Sequence, residues 1–261
     1  MNKRGQVTIF IILGLLIIVI IGFIYFQRGK IISDDDQTQT DERFVTSQIE
    51  PIRKLVSDCV TTEAIKGIRK IGKQGGYYDP IKFEPVGDYN IAYGCYVNNG
   101  NNVNNLPLLS MISKEFDKYI NSDSTVQEID KCINDFKFLK DKGINVADSV
   151  RNIKSDFQYN KVGLNIQYPL VISKGDYSTT VDRIFSEIYI GMGKLHKVAS
   201  DIINEECNGI SFDIDSYIKN NEPIATIGMQ YYQGKTYVYL SSIVEGKEEP
   251  LDFHFVLENV S

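Results

Sequence analysis

Four cysteines and two histidines are the side chains of this chain best suited to chemistry. Cys59, Cys95, Cys132 and Cys207 are too widely spaced for a Cys-x-x-Cys zinc or redox motif. An even count in an exported domain favours two disulfides, against four buried thiols in a reduced compartment. His196 lies in Lys194-Leu195-His196-Lys197, with Asp201 and Cys207 further on. A Cys–His nucleophile pair needs a thiolate beside the ring. Helical spacing puts neither Asp201 nor Cys207 on the His196 face, and a disulfide at Cys207 would remove the thiol. His196 reads as a surface helical histidine. His254 alternates with Phe253 and Phe255, so it is expected to face water.

No G-x-S-x-G, H-E-x-x-H, P-loop or G-x-G-x-x-G motif is present. Gly191-Met192-Gly193 at the start of a helix comes nearest to a phosphate cradle, but the third glycine is missing. Asp213 and Asp215, read on one strand face, could hold Ca²⁺ with Glu205 or Glu206. The EF-hand spacing is absent, and a solvated face is the simpler account. Tyr231, Tyr237 and Tyr239 share a hairpin and could stack on a sugar, although cross-strand aromatic pairing explains them equally. No two carboxylates are marked as an acid and base pair. Asn259-Val260-Ser261 is a glycosylation sequon. The expectation is a protein that is not an enzyme, with no catalytic residue, no cofactor and no metal.

What positions these residues begins with an uncharged apolar run over 7–26. As a helix of about 20 residues it spans roughly 30 Å, one hydrocarbon core. Lys3 and Arg4 precede it, and the positive-inside bias keeps them cytoplasmic and sends the C-terminal side out. Arg28 and Lys30 on the far flank pull against that bias. Phe23, Tyr25 and Phe26 fit an interfacial belt, and Tyr25-Phe26-Gln27-Arg28 is a poor signal-peptidase site.

Lys3-Arg4-Gly5-Gln6-Val7-Thr8 resembles the class III signal peptides of archaeal type IV pilins and archaellins. That resemblance implies a prepilin peptidase cut between Gly5 and Gln6, with the apolar helix retained. The alternative is an ordinary signal anchor.

The chain divides into a basic segment over 1–6, a transmembrane helix over 7–27, a polar linker over 28–45 and an extracytoplasmic domain over 46–261. A sub-boundary falls near 143–160. Residues 31–42 lack helical periodicity and read as a tether. Ile52, Leu55, Val56, Cys59, Val60, Ala64, Ile68 and Ile71 predict a helix over 46–71. Pro51 falls in its first turns, and Gly75-Gly76 lies past its end. Further helices are expected over 106–120, 125–139 and 191–206. Strands are expected over 89–97, 162–172, 181–190 and 251–257, with a hairpin turning at Gln233-Gly234-Lys235. Residues 98–105 read as a loop, and Pro169 marks an edge or bulge. Without regular βαβ alternation, the class is α+β: an antiparallel sheet packed with amphipathic helices. The net charge of −6 and the lack of a basic stripe exclude a nucleic acid partner.

A wider resemblance rests on Cys59, Gln74-Gly75-Gly76-Tyr77, Lys131-Cys132-Ile133-Asn134 and Tyr168-Pro169-Leu170, in that order. The chain is similar in these to uncharacterised exported proteins of small-genome archaea. The resemblance implies a cell-surface protein and supports pairing Cys59 with Cys132. Both cysteines also lie on or beside apolar helix stripes. Cys95 with Cys207 then follows largely by elimination.

These readings together describe a single-pass, membrane-anchored extracytoplasmic protein, structural or interaction in class. Its N-terminus is cytoplasmic and its domain extracellular. The partners expected are the lipid bilayer, prepilin peptidase and other cell-surface proteins or copies of itself. One alternative is a pilin-like filament subunit. A second is an exported hydrolase or ligand-binding protein.

Overall fold

The computed structural model describes residues 4–221, 224–244 and 246–258, and over 4–13 and 25–37 it describes the backbone alone. Helix α1 (Arg4–Lys73) runs unbroken for 70 residues. Its buried residues Val45, Ile52, Val56, Val60, Ala64, Ile68 and Ile71 form one stripe. Residues 28–45 are thus helix, where the sequence reading has a linker. A polar stretch needs no apolar stripe to continue a helix already formed on either side, because extension needs no new nucleus. Pro51 therefore sits inside α1 and not in its first turns. It removes the bond to the Ser47 carbonyl, and Ser47 is exposed, so water can replace it. Gly75 ends the helix at φ 73°, its N–H on the Gly72 carbonyl at 3.1 Å and the Gly76 N–H on the Ile71 carbonyl at 2.9 Å, as in a Schellman cap.

Strands β1 (Phe83–Val86), β2 (Tyr89–Asn98) and β3 (Asn101–Asn104) follow, then α2 (Leu109–Ile120) and α3 (Asp123–Ile133). The helix expected to reach residue 139 breaks at Asn134, Asp135 and Phe136, all with φ near 50°. A short α4 (Lys137–Lys140) resumes. Next come β4 (Asn145–Asp148), β5 (Asn152–Phe157), β6 (Lys161–Lys174) and β7 (Tyr177–Tyr189). Helices α5 (Met192–Cys207) and α6 (Ile214–Asn220) precede β8 (Ala225–Tyr232), β9 (Lys235–Ser242) and β10 (Asp252–Glu258).

The strands form two sheets, and the class is α+β. The first sheet runs β1-β2-β10-β9-β8, with β3 folded back on β2. It is mixed and not purely antiparallel, because β10 lies parallel to β2. Alternation reveals the two faces of a strand but not the direction of its neighbour. In the second sheet β6 is central, with β7 along one edge and β4 and β5 end to end along the other. Val162, Leu164, Ile166, Tyr168, Leu170 and Ile172 of β6 are all buried. The β6–β7 register shifts between Gln167 and Leu170, so Pro169 occupies a bulge. One continuous core joins the inner faces of both sheets to α1, α2, α3 and α5.

Candidate functional site

All four cysteines are paired. Cys59, buried on α1, bonds Cys132 at the exposed end of α3. Cys95 on β2 bonds Cys207, the last residue of α5. In each pair the Cα atoms stand 5.7 Å apart, an ordinary disulfide span. The first pins α3 to the central helix, and the second pins α5 across the first sheet. They separate residues 73 and 112 positions apart in sequence. By loop-closure entropy each contributes about 4–5 kcal/mol. With Cys207 bonded, no thiolate is left to partner His196.

Neither histidine is free in water, a correction to both expectations. His196 is half-buried, and its Nε2–H donates to the Pro107 carbonyl at 2.8 Å, tying α5 to the approach to α2. Burial pushes its pKa below the usual value, and the Pro107 carbonyl partly restores it. His254 is on the outer face of the first sheet, but it lies edge-on against Tyr239 with centroids 5.0 Å apart. Burial lowers its pKa as well, against the pull of Asp252.

The other sequence candidates are occupied by structural contacts. Asp213 and Asp215 are not on a strand. Asp213 caps α6, accepting from the Ser216 N–H at 3.0 Å and the Ser216 hydroxyl at 2.8 Å. Asp215 is in the first turn of α6, and Glu206 accepts the Phe212 N–H. Among the described residues no group of three His, Cys, Asp or Glu could hold a metal ion. At Gly191-Met192-Gly193 two first-turn donors are already used: Met192 N–H bonds the Ile190 carbonyl and Lys194 N–H the Tyr159 carbonyl. A Cβ on Gly193 would stand 2.5 Å from Tyr159 Cα, so that glycine admits the 158–160 loop and not a phosphate. Tyr237 is half-buried in a layer with Tyr93, Tyr96 and Val256, Tyr239 is half-buried against His254, and Tyr231 is exposed near the end of β8.

Three clusters carry no sequence motif. Glu84 on β1 binds both Lys235 of β9 and the Tyr93 hydroxyl. The Lys235 contact, then the tyrosine, hold the Glu84 carboxyl below its usual range, while burial first and Glu84 second push Tyr93 up to about 12. Arg151 is nearly wholly buried, stacked 4.7 Å from the Tyr168 ring and bonded to Asp130 at 2.6 Å. The third cluster is a collar on α1. The β6–β7 turn sets Lys174 Nζ 3.3 Å from the buried Asp41 carboxylate and 4.2 Å from the Phe44 ring. Gly175, at φ 56°, fits against Asp41 where a Cβ would come within 2.7 Å.

On the N-terminal side of that collar, α1 carries its only apolar face without a cover among the described residues. From Leu15 to Ile24 every large apolar side chain is exposed, between 49% at Ile24 and 68% at Ile18. They point in all directions around the helix. Among the described residues no helix is long and apolar enough to cross a membrane. The run expected to do so spans 7–26, and its side chains are described only over 14–24. The side chains of Gly5-Gln6 and the sequon Asn259-Val260-Ser261 lie outside the described residues. Comparison of the chain with known protein families, with curated proteins and with solved structures finds no match.

Proposed function

We propose that this chain is a membrane-anchored structural or interaction protein, with α1 carrying the disulfide-bonded domain outside the cytoplasm. The observation behind this reading is the uncovered apolar girth of α1 over 15–24. A helix apolar on all sides needs an apolar surrounding, and the sequence continues the uncharged run to roughly a bilayer's thickness. Two disulfides fit an oxidising compartment. Lys3 and Arg4 favour the cytoplasmic side for the N-terminus. The reading assigns no reaction.

The pilin-like alternative is favoured by one observation. The apolar end and the domain share a single helix, with no flexible break between them. In that reading prepilin peptidase cuts between Gly5 and Gln6, and copies assemble through the apolar part of α1.

Carbonate-washed membranes of the native host should retain the protein, and protease added to intact cells should degrade the domain. Release by carbonate, or a protected domain, rejects the anchored topology. Mass spectrometry of the mature N-terminus separates the two readings. A start at Gln6 supports the pilin-like one, and a start at Met1 or Asn2 leaves the simple anchor.

A further inference from the structure

The outer face of the second sheet is open to solvent, and near the start of its central strand β6 a side chain is missing. Gly163, the third residue of β6, pairs with Asp156 on one side and Glu187 on the other. Glycine weakens a strand, and a conserved geometry usually explains it: a positive φ, a bulge or a close approach. None applies here. Its φ is not positive, the ladder is regular around it, and a Cβ would meet nothing nearer than 4.0 Å. The result is a dip of about 370 Å³.

The walls of the dip are chemically mixed. Phe185 on β7 stands beside it with 70% of its surface exposed. Asn165, paired with Phe185, has a buried side-chain oxygen with no donor. Asp156 accepts from Gln158 at 2.7 Å, and Glu187 from Lys161 at 2.7 Å. Each carboxylate keeps a second oxygen without a partner among the described residues. Neighbouring strands lie about 4.8 Å apart, so these two side chains stand roughly 10 Å from each other across the glycine. Lys161 pairs with Glu187, while Lys154, also on the wall, is engaged by Asp117 at 3.4 Å.

The geometry points to a neutral sugar as the ligand. A pyranose ring fits the gap over Gly163, with one apolar face against the Phe185 ring. Its hydroxyl groups donate to the free oxygens of Asp156 and Glu187. An aromatic plate with acceptors on both sides suits a ligand that is apolar on its faces and polar around its rim. This site is separate from the Tyr231 hairpin and does not depend on the membrane reading.

The test is saturation-transfer NMR on the full-length protein in a detergent without sugar headgroups. The probes are glucose, galactose, mannose and N-acetylglucosamine. At least one should receive saturation on its ring protons. Gly163→Val fills the dip with a residue that favours strands, and a thermal melt checks that it folds. It should abolish the signal. Phe185→Ala should weaken binding about tenfold, the order expected for a lost ring contact. Tyr231→Ala, on the other sheet, should change nothing. No transfer to any of the four sugars overturns the proposal, as does transfer that survives Gly163→Val or falls equally with Tyr231→Ala. Binding of tetralysine in place of the sugars also overturns it and makes the dip a protein contact.

Discussion

Burial of two imidazoles makes this protein sensitive to mild acid. His196 and His254 have pKa values lowered from 6.5. Between those lowered values and about 6.5 the unfolded chain binds more protons than the folded one, so stability falls as the pH falls through that window. Urea midpoints should therefore drop between about pH 7.5 and pH 5.5, above the range in which ordinary carboxylates titrate. The His196→Gln/His254→Gln variant keeps a donor to Pro107 and should lose most of that drop; an unchanged drop assigns it elsewhere. Backbone strain gives a second case. Asp135 is exposed and takes φ 51°, a conformation that costs a non-glycine residue about 1 kcal/mol or more. Asp135→Gly should raise the melting temperature by about 2–4 °C, less what the lost Lys140 contact contributes. A lower melting temperature would mean that the left-handed turn is not strained.

Elements differ in how plainly the sequence announces them. The six alternating apolar residues of β6 mark it as a strand, because a sheet with one buried face imposes a period of two. The C-terminal half of α1 is equally plain from its stripe. Its continuation through 28–45 is not, because 31–42 carry no apolar stripe in the sequence, and only at Asp41 and Val45 does burial set in. Asn99-Gly100 is the two-residue hairpin signal between β2 and β3, with φ of 52° and 79°, yet the surrounding asparagines read as loop. Asp213 and Ser216 have capping spacing, and reading them as strand turned a helix cap into a candidate calcium site. The disulfide cysteines were the part of the site most legible from residue types. The Gly163 dip was not legible, since only strand register brings Asp156, Glu187 and Phe185 around it. The collar on α1 was invisible for the same reason. It rests on Gly175, and Gly175→Ala adds a Cβ at positive φ against Asp41. That change should destabilise the domain by about 1 kcal/mol or more and open the 41–45 region of α1 to protease. Protection equal to the parent would remove the collar from the account.

For the whole molecule, the disulfides tie the periphery to the two ends of one core. Cys59–Cys132 holds α3 to α1, and Cys95–Cys207 holds α5 to the first sheet. Replacing either pair by serine should lower the melting temperature by on the order of 10 °C, from about 4–5 kcal/mol each. Differential scanning calorimetry of the two double variants checks this, and a pair whose loss is neutral would not be stabilising. Nonreducing peptide mapping of protein from the native host should give the same two pairs.

The unbroken α1 also fixes a direction. In the anchored reading proposed above, a flexible tether would let the domain face any side of its anchor, whereas a helix locks the two in azimuth. Each residue turns the helix by about 100° and advances it 1.5 Å. One residue inserted between 27 and 40 would swing the domain through more than a quarter turn about the anchor axis. Seven inserted residues would return it to within about 20° of its original heading while lifting it roughly 10 Å. What the domain faces is thus encoded in the count of residues between anchor and collar, and their identities matter only so far as they keep the helix intact.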